Sequence, residues 1–294
     1  MERELLKMIV ALLTEIVERG GSRRFTYDDA AIVRVYYWSV LCDRSIRWAC
    51  DRRNWPIWER RRPLPSQSTM SIRLRSPSVR ALLDELERRV VRSAEPGGWV
   101  WFIDGKPLVI GGCSKDRQAG YGRAASGQAK GYKLHAVVGM QGVPVAWRIA
   151  PMNKDERVMA ARLLRDAAVQ GYVLGDGHYD SNPLHDVCLA RGDLQLVTPP
   201  RYRRRQGLGH HRHSPARLRS LALWDDPVSP FGRELLQERV RIERYYGQLT
   251  GFGGGLTHLP PFVRTHRRVR RWVQAKIVIQ LIRRRTAPQT TYVA

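Results

Sequence analysis

The spacing of apolar and polar positions divides the chain into two parts of different character. Over residues 1–95 the apolar positions recur at helical intervals. Leu5, Leu6, Ile9, Leu12, Leu13 and Ile16 form one stripe, and Gly20-Gly21 is expected to end that helix. Thr26 or Asp28 can cap a second helix, with Ile32, Val33, Val35, Tyr36 and Val40 as its inner face. Two short basic segments follow, one over Ser45–Arg53 and one opening near Ser68 or Thr69 after the break RRPLPSQ. A helix over Ser78–Val91 closes the set through Val79, Leu82, Leu83, Leu86 and Val90.

From Trp99 the period changes. In WVWFIDG the run Val100–Ile103 is apolar on both faces, which predicts a short buried strand ending at Asp104. The glycine-rich, basic stretch Ser114–Gly131 reads as a mobile loop. Tyr132–Met140 and Val143–Ile149, joined at Gln141-Gly142, form a hairpin. A helix is expected over Asp155–Gln170, then a strand Tyr172–Gly175 that runs into Asp176. Asn182-Pro183 opens a helix to Arg191, and Leu194–Val197 is a further strand. Three strands in a meander, then strands alternating with helices, is the order of a ribonuclease-H-like fold. The expected fold is α/β: a ribonuclease-H-like mixed sheet with flanking helices over 96–294, preceded by a small all-helical domain over 1–95. A basic insertion near 200–232 interrupts it. Glu234–Leu249 is read as one helix with Leu235, Ile242, Tyr246 and Leu249 inward. A last helix, Val263–Arg285, is expected to pack on the sheet and turn a basic face outward.

Charge changes the picture most. The chain carries 51 Lys and Arg against 27 Asp and Glu, net +24, mostly as arginine. Guanidinium groups suit bidentate contact with phosphate, so a polyanion is the expected partner, nucleic acid before membrane. An arginine-rich codon usage contributes to the count without accounting for an excess this large over acids. After Glu243 the last 51 residues hold ten Arg and Lys and no acid. Arg201–Arg219 has seven Arg, three His and no acid, as either a solvated insertion or a phosphate-contacting arm. The short basic helices of the first part fit a helix-turn-helix-like DNA-binding domain, or a plain bundle with basic solvent faces. No apolar run approaches the ~20 residues of a membrane span. The opening segment reads as an amphipathic helix and not a signal peptide. Four scattered cysteines without a C-x-x-C pair point to a reducing cytoplasm.

Two strand ends 72 positions apart thus present Asp104 and Asp176, and Glu243 lies beside an apolar helical seam. Singly, an aspartate there starts a turn and a glutamate pairs with an arginine. Together, three carboxylates can hold two divalent ions, Mg²⁺ or Mn²⁺, that polarise an attacking oxygen and steady a leaving one in phosphoryl displacement.

The motifs FIDGKPL around Asp104, GYKLHAVV (Gly131–Val138), Asn153–Glu156, VLGDGHYDSNPLHDVCLARG (Val173–Gly192) and RVRIERYYGQLTGF (Arg239–Phe252) resemble the DDE transposases of bacterial insertion sequences, and the likeness covers nearly the whole chain. LPSQSTMSIRLRS (Leu64–Ser76) is similar to that family's leader domain. The resemblance implies Asp104, Asp176 and Glu243 as catalytic metal ligands and Arg239 as a contact to donor DNA. It further implies metal-dependent cleavage at element ends, strand transfer into target DNA, a homodimer on double-stranded DNA, and a cytoplasmic, nucleoid-associated bacterial protein. Arg267, Arg268, Arg270 and Arg271 are expected to touch phosphate. Leu236 and Thr250 stand where the family often has tyrosine and lysine, and Asp180 rivals Asp176 as second ligand. A nuclease on the same fold and a DNA-binding, catalytically inactive relic or repressor are the alternatives.

Overall fold

The computed structural model describes residues 1–17, 26–111, 114–125, 127–201, 214–225, 231–251, 255–256 and 258–286. The Gly20-Gly21 break and most of the Arg/His-rich run, with its three histidines, lie outside the described residues. The chain forms two compact units. One holds Met1–Ala94, Phe252–Gly255 and Arg271–Ala294; the other holds Glu95–Gly251 and Leu256–Arg270.

The first unit is helical: α1 (Glu2–Val17), α2 (Asp29–Leu41), α3 (Ile46–Ala49), α4 (Gln67–Arg73), α5 (Pro77–Arg92) and most of the last helix. Asp28, Ser45, Ser66 and Ser76 each cap a helix by accepting a backbone N–H. The second helix is not the one-sided stripe expected, since every residue from Ile32 to Leu41 is buried. A helix apolar all round belongs at the centre of a bundle, and α1, α3, α4 and α5 all pack on it. The segment expected as one helix over Ser45–Arg53 is cut short at Ala49; Asp51 then caps a single 3₁₀ turn over Arg52–Asn54. Trp38 stacks on Trp48 and leans on Trp55, with centroids 6.0 and 5.5 Å away. The Arg34–Glu59 ion pair is buried beneath, and the Arg34 guanidinium lies 4.9 Å from the Trp55 ring centroid.

The second unit is built on a sheet of β1 (Val100–Val109), β2 (Gly120–Ala124), β3 (Gly127–Gly139), β4 (Pro144–Pro151), β5 (Gly171–Leu174) and β6 (Leu194–Val197). The order is β2-β3-β1-β5-β6, with β4 also on β3. The β1–β3, β2–β3 and β3–β4 pairs are antiparallel, whereas β1–β5 and β5–β6 are parallel. This is the mixed ribonuclease-H-like sheet with flanking helices that the element order predicts. Helices α6 (Glu156–Asp166) and α7 (Asn182–Arg191) cover one face, where Trp101, Ile103, Val137 and Val173 meet Leu163, Leu164, Leu184 and Cys188. Gly192, at φ 77°, ends α7 in the left-handed conformation that glycine adopts without penalty. Then come α8 (Pro215–Asp225), α9 (Phe231–Gln237), α10 (Val240–Thr250) and α11 (His266–Thr286).

Several expectations are corrected. The first strand continues six residues past Ile103, because β3 stays paired with it to Val109. The expected loop 114–131 contains β2 and the start of β3. Helix α6 stops at Asp166 instead of Gln170: the Arg191 guanidinium takes the carbonyls of Leu164, Ala167 and Val169, so another turn is not needed to satisfy them. The helix read as Glu234–Leu249 breaks at Glu238-Arg239, where Arg239, Arg241 and Ile242 donate to carbonyls three residues back. The basic run does not stay solvated to its end, since Pro215–Asp225 is a helix with Arg217 fully buried. From Arg271 the last helix groups with the helical unit and not with the sheet. There Lys276 bonds to Asp43 and the Val40 carbonyl, and Gln274 bonds to Asp84 and Glu87. Those partners let its polar positions be buried along with Val273, Ile277 and Ile282.

Candidate active site

The parallel pair of strands leads two carboxylates into one neighbourhood. Strand β5 pairs with β1 only from Val100↔Tyr172 to Phe102↔Leu174. Asp104 lies two residues beyond that last pair, still in β1 and on the face of Phe102, while Asp176 follows the end of β5 and caps the 3₁₀ turn Gly177–Tyr179, near enough to act on Asp104 electrostatically. Trp101 and Ile103 point to the opposite face, into the core with α6 and α7.

Asp104 is half-buried and its Oδ1 accepts the Gly105 N–H at 2.7 Å. Its own carbonyl accepts the Tyr246 hydroxyl at 2.8 Å, which pins α10 to the strand. Gly105 lies close under the Lys133 side chain: a Cβ there would come within 2.8 Å of Lys133 Cδ, so that side chain would have to shift. Burial pushes the Asp104 carboxyl up to about 6, and the charges of Asp176 and Glu156 push the same way. The Gly105 N–H and the Arg239 charge oppose them. Asp176 is more open, with its side chain 32% exposed. It accepts the His178 N–H at 2.8 Å and faces His178 Nδ1 at 3.1 Å.

Asp180, the rival, is closed. Its oxygens accept Arg217 Nε at 2.7 Å, Arg217 Nη2 at 2.9 Å and the Arg201 N–H at 2.9 Å, with His185 Nε2 at 3.6 Å. Burial alone would raise this carboxyl, but these partners hold it well below the usual carboxylate range. All of them are protein groups, so Asp180 serves the fold.

Glu243 is exposed on α10, one turn before Tyr246, while Ile242, Tyr245, Tyr246 and Leu249 are the buried face of that helix. Among the described residues no three His, Cys, Asp or Glu side chains are gathered closely enough to hold a metal ion. Asp176 is near enough to Asp104 to act on it electrostatically, and Glu243 stands on the helix tied to Asp104 through Tyr246. Arg239, half-buried at the start of α10, is near enough to act on Asp104 electrostatically. It lines an open cleft of about 530 Å³ with Pro199, Trp224 and Leu236. Thr250 turns its hydroxyl back to the carbonyls of Tyr246 and Gly247, finishing the helix.

Two neighbours of Asp104 carry no role in the sequence reading. Lys106 lies on the same strand face, with Nζ 5.7 Å from the Tyr246 ring centroid; burial lowers its ammonium and Asp104 partly restores it. Glu156, the first residue of α6, is ion-paired to Lys133 and raises the proton affinity of Asp104. It was visible only as part of the Asn153–Glu156 motif.

The four arginines of α11 divide. Arg267 and Arg268 are exposed. Arg270 is exposed with its guanidinium 5.6 Å from the Trp147 ring centroid. Arg271 is half-buried in the helical unit, donating to the Leu74 carbonyl and lying 5.7 Å from the Tyr36 ring centroid. Arg271 is thereby engaged by its own chain.

A ribonuclease-H-like mixed sheet that carries one aspartate on its first strand and another just after the strand parallel to it matches the class of DDE-type proteins. Within it, the chain belongs to the transposase DDE domain family, which it matches over residues 95–285, more than half its length. Neither a curated protein nor a solved structure matches the chain. The family acts on DNA and generally works with divalent metal ions. No helix among the described residues is long and apolar enough to cross a membrane.

Proposed function

We propose that the protein is the transposase of an insertion sequence, cutting double-stranded DNA at the element's ends and joining the freed ends to target DNA. Asp104, Asp176 and Glu243 are its catalytic carboxylates and the ligands of two Mg²⁺ or Mn²⁺ ions. The observation that carries this is the electrostatic neighbourhood of Asp104 and Asp176 past the β1–β5 pair, with α10 anchored on Asp104 through Tyr246. The donor set fits the ions: hard carboxylate oxygens, no thiolate, and an Asp104 whose proton affinity is raised partly by the neighbouring Asp176. A cation relieves that repulsion, and it supplies positive charge to the phosphate and to the attacking and leaving oxygens.

The chain's own residues do the positioning. Tyr246 and the buried face of α10 fix the helix on which Glu243 reaches toward the aspartates. Arg239 holds donor DNA by a phosphate beside them, and the exposed Arg267 and Arg268 neutralise further phosphates. In the first reaction water attacks the phosphorus at each element end, and the bond to the 3′ oxygen breaks. In the second, the freed 3′-OH attacks a target phosphodiester and displaces its 3′ oxygen. A homodimer on the two inverted repeats brings both ends to one target.

One observation favours a second reading. Glu243 is exposed, no three carboxylates among the described residues are gathered to hold a metal ion, and Leu236 and Thr250 replace residues common in the family, as a DNA-binding relic would permit. Incubating the purified protein with duplexes carrying the inverted repeats around its gene, in Mg²⁺ and in Mn²⁺, decides between them. The transposase nicks at the 3′ ends and Asp104→Asn does not; binding without any nicking in either metal is the outcome of the relic.

A further inference from the structure

Helix α4 presents an uncharged polar stripe outward, and arginines flank it. Met70, Arg73 and Leu74 are buried, whereas Gln67, Ser68 and Ile72 are exposed and Ser71 is half-exposed. Positions 67, 68, 71 and 72 fall on one side of a helix of 3.6 residues per turn. The inner side is tied down: Arg73 donates to Asp29 at 2.5 Å and to the Tyr27 carbonyl at 2.8 Å. Ser66 caps the first turn, and its hydroxyl also bonds that of Ser68 at 2.8 Å. The outward stripe is therefore held in one orientation. It combines an amide, two hydroxyls and an isoleucine that is 70% exposed.

The surroundings are basic. Arg47, Arg52, Arg53 and Arg75 are exposed, and of the acids nearby Asp51 pairs with Arg53 while Glu59 is buried against Arg34. An open cleft of about 730 Å³, lined by Arg47, Trp48, Arg52, Asn54 and Gln67, adjoins the start of the helix.

We propose that this stripe is the sequence-reading face of the protein: α4 lies in the major groove of duplex DNA, Gln67, Ser68 and Ser71 meet base edges, Ile72 meets a thymine methyl group, and Arg47 and Arg52 hold the flanking phosphates. The proposal rests on the transposase reading for its partner. The chemistry separates the two tasks. An amide makes a bidentate pair with adenine, hydroxyls accept or donate as the base requires, and an exposed apolar side chain suits the C5 methyl. Guanidinium groups on phosphate fix register and carry no sequence information. The groove, about 12 Å wide, admits one helix of 10–12 Å diameter.

The test is a selection from a randomised duplex pool with the full chain at fixed salt, repeated with Gln67→Ala and with Ile72→Ala. Both side chains are exposed, so thermal unfolding should be unchanged. The wild type should enrich a motif. Each variant should lose preference at one position and bind the wild-type motif roughly ten- to a hundredfold more weakly, with affinity for random duplex retained. Arg47→Gln with Arg52→Gln should instead weaken binding to every duplex and lower the slope of log K against log salt by about 1.8. A wild-type motif that both variants enrich unchanged overturns the assignment of α4 and leaves the transposase reading standing. A wild type that binds duplex but enriches nothing overturns it as well. A chain with no affinity for duplex DNA overturns the transposase reading, which the nicking assay registers separately.

Discussion

Asp176 and Asp180 are four residues apart and have opposite fates. Asp180 is 1% exposed and surrounded by donors, with the Arg217 guanidinium, also fully buried, bonding both of its oxygens. Among the described residues Asp176 bonds within its own turn, to His178, and its charge raises the proton affinity of a second carboxylate, Asp104. The same side chain is thus closed in one place by a permanent counter-charge and left open in the other beside a like charge. A buried carboxylate that the fold neutralises serves the fold; one that the fold leaves repelling its neighbour is poised for something from outside.

The sharpest way to break that contrast is to neutralise each in turn. Asp180→Asn strands Arg217 in the core without its counter-charge, and should cost about 3–5 kcal/mol of unfolding free energy. Urea denaturation measures it, and a cost below about 1 kcal/mol would show that Arg217 finds other support. Asp176→Asn should leave the same curve nearly unmoved and abolish cleavage.

Glu243 sharpens the comparison from the other side, as the carboxylate that sequence groups with Asp104 and Asp176 and that the structure leaves exposed. Glu243→Gln keeps the shape and removes the charge. As a metal ligand it should lower cleavage by about 10²–10³-fold while binding to element ends persists. As a surface residue beside Arg239 it should change stability by less than about 1 kcal/mol and leave cleavage alone. The comparison is made at fixed salt, because affinity for DNA moves steeply with it.

What could be read from the residues, and what could not, follows the same division. The fold class was legible because apolar runs and alternation mark most of the strands, and parallel crossovers permit few arrangements, although β2 lay hidden in a glycine-rich stretch that reads as a loop. Asp104 and Asp176 stood out because each follows such a run. The continuation of β1 through Lys106 and Pro107 was not legible, since Asp-Gly followed by proline carries a turn signal locally; a long partner strand overrides it. Beyond Phe102 that strand has lost β5 as a neighbour and has to satisfy only one edge. Arg217 was hidden in a basic run whose composition reads as solvent-exposed, and only the tertiary pairing with Asp180 reveals it. Glu156 likewise acquires its place from Lys133, 23 positions earlier, which no local pattern encodes.

The raised proton affinity of Asp104 gives a smaller, signed effect. Its folded value near 6 exceeds the ordinary value near 3.9, so the folded state holds that proton more tightly than the unfolded chain. Ionised Asp104 therefore costs stability as pH rises from about 4 through about 6, and the cost is absent below that window. In chelator-treated protein Asp104→Asn should raise stability at pH 7.5 by up to about 3 kcal/mol, and by almost nothing near pH 4. Unfolding curves at the two pH values check it; an equal gain at both would place its origin elsewhere. Millimolar Mg²⁺ should then stabilise the wild type and not the variant.

The smallest expected effect separates arginines that face solvent from one that the fold has claimed. Arg267 and Arg268 are exposed, whereas Arg271, further along the same helix, donates to the Leu74 carbonyl and stacks over Tyr36. Replacing Arg267 and Arg268 by Gln should reduce the salt slope of duplex binding by about 1.8 without moving the unfolding midpoint. Arg271→Gln should do the reverse, removing a carbonyl's partner and a cation–π contact for about 1–2 kcal/mol of stability while the slope holds. Arg270, set over Trp147, belongs between these limits and should show a part of each effect. A slope that falls equally for all four would mean that the Arg271 contacts open when DNA binds. A slope that falls for none would turn the basic end of α11 away from DNA altogether. Either result would leave Asp104 and Asp176 untouched, because a phosphate grip and a pair of carboxylates fail independently.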